Sequence, residues 1–286
     1  MVKAVPRRLA VVCIIRNAAG YIGEWLDFHL AAGVDHVIVY DNHSDDETRA
    51  ILLARRKDQI TIVPWALEGC DEGTDRYLSR QVSAYAHALT TFGGDFERMA
   101  FIDVDEFLVP VGHASLTEAL DVIGDHSNIS LPWLMFGHSG HDTRPEGGVI
   151  ANYTERAVTP YGRRSPLLRF KCIVRPPRVS TVGIHRFRTV DMGDKSANTR
   201  NEVASNDARK QAEFFATENI QLNHYYALSR HDAETKMARG PVANASQSGY
   251  AARVQSKITE IERATTTDRT AIDYLARHGE RQIMRS

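Results

Sequence analysis

The chain has 286 residues, of which 43% are hydrophobic, enough to bury the core of one enzyme-sized domain. Its 35 basic and 36 acidic residues leave a formal charge of -1, which gives no overall field for nucleic acid, so no nucleic-acid partner is expected. The 3 cysteines are odd in number and far apart, which excludes a disulfide framework and a zinc cluster. Because Arg16 ends the first apolar run early, that run predicts a buried strand of a cytoplasmic protein rather than a signal peptide.

The first half of the chain alternates apolar runs with helical patterns. The predicted strands are LAVVCIIRN, DHVIVYDN, QITIVPWAL and RMAFIDVDEFL. Gly33 is expected to end the first helix, and Ser44 and Glu47 have the spacing of a capping box at the start of the second. Strands separated by helices of this length favour βαβ units. The predicted fold class is therefore α/β, with a single Rossmann-like, mostly parallel mixed sheet flanked by helices.

The second half is less regular. From about residue 150 the pattern indicates short strands, broken at Pro176 and Pro177. The polar segment 191–219 is interpreted as a lid or a disordered loop, because it is longer than an ordinary connection. Two amphipathic helices with a basic tail follow residue 240. Packing against the domain is their favoured role, and contact with an anionic membrane surface or with a second subunit, as in a homodimer, is the alternative.

Polar side chains follow three of the predicted strands at the point where each strand ends. They are Arg16, Asn17, Asp41, Asn42, Asp103, Asp105 and Glu106. In parallel sheets, ligands bind beyond the carboxyl ends of the strands. These residues, far apart in sequence, are therefore expected to converge on one site.

The stretch FIDVDEFLVP carries an Asp-x-Asp motif. In an extended chain Asp103 and Asp105 share a face, where two carboxylates repel each other unless a cation lies between them. A hard divalent ion, Mn²⁺ or Mg²⁺, bound through oxygen would satisfy them and leave open positions for phosphate oxygens. The alternative is that both residues cap a loop or helix. Phosphatases also place Asp-x-Asp after a strand, but near the N-terminus.

Two other features bear on anion or metal binding. In LLRFKCIVR, alternation puts Arg169, Lys171 and Arg175 on one face, which is either a solvated strand face or a surface for phosphate or an anionic acceptor. His224 stands beside two tyrosines, and a lone histidine is more often structural than a metal ligand. The sequence lacks the glycine-rich signatures of Rossmann dehydrogenases and P-loop proteins and the serine elbow of hydrolases.

A series of blocks in order along the chain resembles glycosyltransferase family 92 and the related family-2-like group of GT-A enzymes. The blocks are IIRNAAGYIGEWLDFHLAAGVDHVIVYDNHSDD, FIDVDEFLVP, LPWLMFGHSG, KCIVRPPRV and LNHYYALSRHDAETKMARG. The resemblance implies a GT-A fold and inverting transfer of a sugar from a nucleotide diphosphate donor, UDP-linked, with Mn²⁺ or Mg²⁺. Galactose is a frequent donor sugar among such enzymes.

The resemblance also divides the chain and assigns donor-binding residues. Residues 1–110 would form the nucleotide-sugar-binding half, 111–240 the acceptor-binding half of the same domain, and 241–286 a helical extension. The residues assigned to the nucleobase and ribose are Arg16, Asn17 and Asp41. Arg80 and Gln81, on the helix before the Asp-x-Asp strand, would face the donor.

For the metal, the resemblance implies that Asp105 and His224 are ligands and that Asp103 approaches the ribose or the metal. Lys171 belongs to the basic strand that would face the diphosphate. One departure is visible, because related proteins commonly carry an acidic residue where this chain has Ala18.

An inverting transfer needs a carboxylate to deprotonate the acceptor hydroxyl. Asp142 is the first candidate, with Glu146 and Glu72 behind it. Three side chains able to stack on a sugar are candidates for the acceptor platform: Trp133, Phe136 and His138. The acceptor would be a glycan or lipid-linked glycan. The rival hypotheses are a metal-dependent phosphohydrolase or nucleotidyltransferase using the same carboxylates, and a sugar-nucleotide binding module without turnover.

Overall fold

The computed structural model describes residues 7–55, 58–66, 70–71, 76–77, 79–240 and 249–278. The strands are β1 (Arg7–Ile15), β2 (His36–Asp41), β3 (Ile60–Pro64), β4 (Cys70–Asp71), β5 (Arg76–Tyr77), β6 (Phe96–Phe101), β7 (Glu106–Pro110), β8 (Asn128–Met135), β9 (Glu155–Ala157), β10 (Phe170–Val174), β11 (Val179–Thr181), β12 (Arg188–Thr189), β13 (Ser196–Ala197), β14 (Val203–Ala204), β15 (Ile220–His224) and β16 (Thr265–Thr267). The helices are α1 (Ile22–Ala31), α2 (Thr48–Leu53), α3 (Arg80–Phe92), α4 (Leu116–Ile123), α5 (Val149–Asn152), α6 (Arg230–Arg239), α7 (Tyr250–Glu262) and α8 (Thr270–His278).

One large mixed sheet organises the described residues. Its strand order is β14-β13-β8-β10-β6-β1-β2-β3, and β15 pairs with both β8 and β7. The N-terminal strands β6, β1, β2 and β3 are mutually parallel, whereas β10 runs antiparallel between β6 and β8. The predicted α/β class, with a mostly parallel mixed sheet flanked by helices, is confirmed. Strands from both sides of residue 110, the predicted boundary between the two halves of the domain, belong to this sheet. In the C-terminal region, β16 pairs with β9.

The central strand β1 is buried on both faces, which explains its unbroken apolar run. Leu9 and Val11 belong to one core, and Ala10 and Val12 to the core on the opposite side of the sheet. Helix α1 packs on the first side through Trp25 and its apolar neighbours. The two covered faces hold the carboxyl ends of the parallel strands in fixed positions.

Helix boundaries agree with the sequence at α1 and differ at α2. Gly33 follows α1 with φ of 92°, as expected of a terminating glycine. The capping box predicted for α2 is wrong, because Ser44 Oγ instead accepts a hydrogen bond from the amide of Asn17 at 3.1 Å. Glu47 precedes the helix without a side-chain cap. The residues before α2 therefore fasten two strand-end loops to each other.

The single strand predicted over RMAFIDVDEFL is two strands separated by a turn. Strand β6 ends at Phe101 and β7 begins at Glu106, so Asp103 and Asp105 lie in the turn and not on one face of a strand. The turn is held by the Asp103 amide, which donates to Glu106 Oε2 at 2.8 Å, and by the Trp25 indole, which donates to the Glu106 carbonyl at 2.7 Å. The chain turns here because β7 leaves the parallel array to pair with β15.

The prediction of a lid or disordered loop over 191–219 is wrong. Within it, β13 pairs with β8 at the edge of the main sheet. Asn198 is fully buried and its Nδ2 donates to the Phe214 carbonyl at 3.0 Å. Arg209 is also buried, and its Nη1 donates to Ser130 Oγ at 2.7 Å. Internal hydrogen bonds therefore replace apolar burial in this polar segment.

The C-terminal helices pack against the domain, as favoured from the sequence. Ile261 of α7 and Tyr274 of α8 belong to the main core. None of the helices in the described part of the chain is long and apolar enough to cross a membrane.

Candidate active site

A cavity of about 520 Å³ opens at the carboxyl ends of β1, β2 and β6. Its lining residues are Ile14, Ile15, Arg16, Asn17, Gly20, Tyr21, Asn42, Asp46, Arg80, Gln81, Asp103, Val104, Asp105, Arg144, Tyr226, Ala227, Leu228, Asp232, Thr235, Lys236 and Tyr250. The expected convergence of three strand ends is thus confirmed. The register explains it, since β1 lies between β2 and β6 with all three strands parallel.

The loop after β1 is shaped by Asn17. Its φ of 54° is left-handed, a conformation that asparagine tolerates better than most residues. Its Nδ2 donates to Asp45 Oδ1 at 2.6 Å, and its Oδ1 accepts from the Asp45 amide at 3.0 Å. Asp41 does not line the cavity, because its Oδ1 accepts from the Ser44 amide at 3.0 Å in the local turn. Asn42, the next residue, lines it instead.

Asp103 is held by two side chains from other elements. Gln81, at the start of α3, donates to Asp103 Oδ1 at 2.7 Å. Lys171 Nζ from β10 lies 2.9 Å from Asp103 Oδ2 and 3.7 Å from Glu106 Oε2. Burial would lower the pKa of Lys171, but Asp103 and Glu106 outweigh it and raise that pKa, so the lysine stays charged.

This contact corrects the prediction for β10. Lys171 is fully buried and lies on neither a solvated face nor an exposed phosphate-binding surface. Alternation failed here because β10 is covered on both faces, as its five buried residues show. Lys171 acts on the site from beneath, as the counter-ion of Asp103 and Glu106.

Asp105 faces a histidine and a lysine. Its Oδ2 lies 3.4 Å from His224 Nε2, at the end of β15, and 3.7 Å from Lys236 Nζ on α6. Burial would raise the pKa of Asp105, but these two neighbours bring it below its usual range. Burial also lowers the pKa of His224, although the Asp105 carboxylate acts to raise it. Near pH 7 the ring is therefore neutral, and Lys236 supplies the positive charge that balances Asp105.

Glu106 completes the buried cluster. The side chain is fully buried, and its Oε1 lies 3.7 Å from His224 Nδ1. Burial raises the pKa of Glu106, while Lys171 opposes that shift. The sequence indicates only that Glu106 is one of the polar residues at the strand ends. Its contacts show that it supports both Asp103 and His224 from the side of the core.

The Asp105–His224 pair fits a divalent cation. Adjacent ligands of an octahedral ion bound at about 2.1 Å lie about 3 Å apart, close to the 3.4 Å between Asp105 Oδ2 and His224 Nε2. A neutral imidazole and an ionised carboxylate are suitable donors. Among the described residues, no group of three or more His, Cys, Asp or Glu side chains is placed to share a metal.

None of the described residues predicted for the acceptor side lines this cavity. The Asp142 side chain is 79% exposed and its carboxylate pairs with Arg230. Glu146 is exposed, and Glu72 lies outside the described residues. Trp133 packs edge-on against His224, with ring centroids 4.4 Å apart. Two of the three platform candidates, Trp133 and Phe136, are core residues, and His138 lines a second cavity between α6 and α7.

The part of the cavity formed by α6 and the loop after β8 could not be predicted from the sequence. Asp232 forms a capping box with Ser229 at the start of α6, and Arg144 Nη2 donates to Asp232 Oδ1 at 2.7 Å. One turn further on, Lys236 Nζ lies 4.0 Å above the ring of Tyr226. The capping box is visible in SRHD, but no local signal shows that this helix faces the strand ends.

The sequence model of glycosyltransferase family 92 matches residues 10–269. The chain belongs to glycosyltransferase family 92, and the predicted resemblance to that family is confirmed.

Curated relatives in plants carry the same family name. A glycosyltransferase family 92 protein of Oryza sativa subsp. japonica is 29% identical over 178 residues, which are 59% of this chain and 27% of that protein. One of Ricinus communis is 28% identical over 196 residues, 65% of this chain and 32% of that protein. The chain therefore spans about a third or less of the length of these relatives.

Two solved structures show a slight likeness. Glucosyl-3-phosphoglycerate synthase from Mycobacterium tuberculosis, in complex with Mn²⁺, UDP and glucosyl-3-phosphoglycerate, has a TM-score of 0.28 and 16% identity over 45% of this chain and 44% of that chain. Staphylococcus aureus TarS has a TM-score of 0.35 and 11% identity over 88% of this chain and 43% of that chain.

Proposed function

We propose that this chain is a metal-dependent, inverting glycosyltransferase that moves a sugar from a nucleoside diphosphate sugar to a hydroxyl of a glycan or lipid-linked glycan. UDP is the proposed nucleotide, and galactose is the first sugar to test. The observation that carries the proposal is the Asp105–His224 pair, which stands beside a cavity of about 520 Å³ bordered by strand ends and basic side chains. Family membership supports the same reaction class.

The donor is proposed to lie along the strand ends. Arg16 and Asn17 would contact the nucleobase and ribose at the end of β1, and both line the cavity. Arg80 and Gln81 would face the donor from the start of α3. Asp103 would approach the ribose through its exposed edge, since the Asp103 side chain is 33% exposed although Lys171 and Gln81 hold its oxygens.

Mn²⁺ or Mg²⁺ held by Asp105 and His224 would neutralise the donor diphosphate and stabilise it as a leaving group. The buried cluster orients those two ligands. The Asp105 carbonyl accepts from the Tyr225 amide at 2.9 Å, and the His224 ring packs against Trp133. The hydrogen bond therefore ties the turn that carries Asp105 to the residue after His224, and the contact with Trp133 orients the His224 ring.

A carboxylate is proposed to deprotonate the acceptor hydroxyl during inversion. Asp142 remains the prediction from sequence. Asp232 is the second candidate because it lines the cavity from α6, a different element from the turn that carries Asp103 and Asp105. Asp142→Asn and Asp232→Asn distinguish the two, since loss of the base abolishes transfer while donor binding stays near the wild-type value. A variant that also loses donor affinity is not the base.

Incubation with Mn²⁺ and a panel of sugar nucleotides tests the proposal. Release of UDP from one sugar nucleotide, dependent on a glycan acceptor and lost in Asp105→Ala, is the expected result. Release of inorganic phosphate or pyrophosphate would favour the phosphohydrolase or nucleotidyltransferase. Binding without turnover for every acceptor would favour the binding module. A cytoplasmic location, membrane contact and a homodimer remain predictions.

A further inference from the structure

We propose that Lys236 exchanges partners during donor binding: it balances Asp105 in the nucleotide-free protein and then contacts the donor diphosphate. This inference rests on the proposed function, because it names a residue that would touch the departing group. Lys236 would weaken the binding of the metal ion in the absence of the donor and strengthen the binding of the nucleotide diphosphate. The two effects have opposite signs, so they can be measured separately.

The position of Lys236 suits both partners. Its Nζ lies 3.7 Å from Asp105 Oδ2, the same oxygen that faces His224. Among the described residues, Lys236 is the only lysine or arginine that forms an ion pair with Asp105. Its side chain is 25% exposed and lines the cavity. It can therefore reach a ligand in the cavity without leaving the wall.

The contacts of Lys236 guide the ammonium without binding it tightly. Nζ lies 4.0 Å above the Tyr226 ring and donates to the Tyr226 carbonyl at 3.2 Å. The ring and the carbonyl restrict where the charge can stand. At 3.7 Å, the Asp105 contact is longer than a normal hydrogen bond. The lysine side chain has four methylene groups joined by rotatable bonds. A small change in its torsion angles can therefore move the ammonium group towards a nearby anion.

Three other basic residues line the cavity: Arg16, Arg80 and Arg144. Arg16 follows β1 and Arg80 begins α3, where the nucleoside part of the donor is proposed to lie, and Arg144 is paired with Asp232 at 2.7 Å. Lys171 is fully buried beneath Asp103 and does not line the cavity. Among these residues, Lys236 is the cavity-lining cation whose ion pair with Asp105, the proposed metal ligand, the structure shows.

Elementary electrostatics then fixes the two signs. A positive charge beside Asp105 repels a divalent cation at the same carboxylate, so metal binding without nucleotide is weakened. A diphosphate brings negative oxygens to the same place and forms charge-assisted hydrogen bonds with an ammonium. Lys236 should therefore disfavour the free ion and favour the ion together with the diphosphate. Such a device reduces metal binding in the absence of donor.

The matched control is Lys257 on α7. Its Nζ lies 5.1 Å from the centre of the same Tyr226 ring and 5.7 Å from that of Trp133, but it does not line the cavity. Lys257→Met removes an equal charge from the same neighbourhood. Lys236→Arg keeps the charge and tests whether its sign, rather than the lysine shape, matters.

Titration calorimetry with purified full chain gives the decisive comparison. For Lys236→Met, we expect Mn²⁺ alone to bind about threefold to tenfold more tightly than to wild type, and UDP in saturating Mn²⁺ to bind about tenfold or more weakly. Uridine, which has no phosphate, should bind both proteins equally. Lys257→Met should change each affinity by less than about twofold, and Lys236→Arg should retain most UDP affinity.

Three results would overturn the inference: unchanged UDP affinity in Lys236→Met, weaker binding of free Mn²⁺ in that variant, or an equal loss in Lys257→Met. If Lys236→Met does not fold, as judged by its thermal transition, Lys236→Gln supplies the same comparison. Failure of the proposed function shows differently, as wild-type UDP affinity that does not depend on Mn²⁺.

Discussion

At the scale of single residues, buried charge is the feature that most constrains this protein. Lys171 lies 2.9 Å from Asp103 and 3.7 Å from Glu106, with no exposed surface of its own. Lys171→Met would leave two carboxylates without their counter-ion, so we expect a loss of about 3–5 kcal/mol in the free energy of unfolding. Urea denaturation measures it. Lys210→Met, which removes an exposed partner of Asp207, should leave the free energy of unfolding nearly unchanged. Equal losses would contradict the account.

A buried histidine makes stability depend on pH. His29 Nδ1 donates to the Trp25 carbonyl at 2.8 Å, and its Nε2 accepts from the Leu108 amide at 3.1 Å. Burial lowers the pKa of His29 to about 4, with the Trp25 carbonyl opposing the shift. The unfolded chain therefore takes up a proton first as the pH falls, and the contribution to stability is complete above about 6.5 and is lost towards 4.

His29→Gln removes that titration while keeping a donor and an acceptor. The difference in unfolding free energy between wild type and variant should shrink by about 2 kcal/mol between pH 7.5 and pH 5, since each pH unit below about 6.5 contributes about 1.4 kcal/mol. Chemical denaturation at both pH values measures the difference. A difference that stays constant would show that the pKa of His29 is the same in the folded and unfolded states.

Residue-level prediction succeeded where a local rule carries long-range information. Arg16, Asn17 and Asp105 line the cavity because each follows a parallel strand, and the strand-end rule already places such positions together. The prediction for Lys171 was wrong because alternation shows which face of a strand a residue lies on, but not whether other parts of the chain cover that face. Lys236 was invisible, since only the packing of α6 brings it to Asp105.

At the scale of secondary structure, the largest surprise is the polar segment 191–219. Low apolar content indicated a lid, yet the segment adds β13 and β14 to the sheet and buries Arg209 against Phe170, with the guanidinium carbon 4.4 Å from the ring centre. Composition could not reveal this, because its hydrogen-bond partners, such as Ser130, lie far away in sequence. Two other predictions, the single fourth strand and the capping box of α2, were wrong for the same reason, since contacts with residues distant in sequence decide both structures.

Limited trypsin digestion distinguishes an integral segment from a lid. Cleavage after Arg209 should be slow in the wild-type protein and unchanged by UDP with Mn²⁺, because the side chain is already buried. Arg209→Ala leaves Ser130 and the His185 carbonyl without their donor, and should lower the unfolding free energy by about 2–3 kcal/mol and speed cleavage at neighbouring sites. Strong protection by UDP in the wild type would instead indicate a lid.

At the scale of the whole molecule, sequence periodicity predicted the parallel β6-β1-β2-β3 array and the edge where its strands end. It did not predict that β15 would bring His224 to that edge by pairing between β7 and β8. The position of His224 opposite Asp105 thus comes from the mixed part of the sheet, and its assignment came from the family resemblance. The proposed metal site depends on this contact between Asp105 and His224, which are far apart in the sequence.

The most direct test of that account is the affinity of UDP for the wild-type chain by titration calorimetry, with Mn²⁺ and then with excess chelator. Binding that requires Mn²⁺ and disappears in Asp105→Ala is the predicted result. Equal affinity with and without chelator, unaffected by Asp105→Ala, would contradict the proposal that Asp105 and His224 hold a divalent ion against the donor diphosphate.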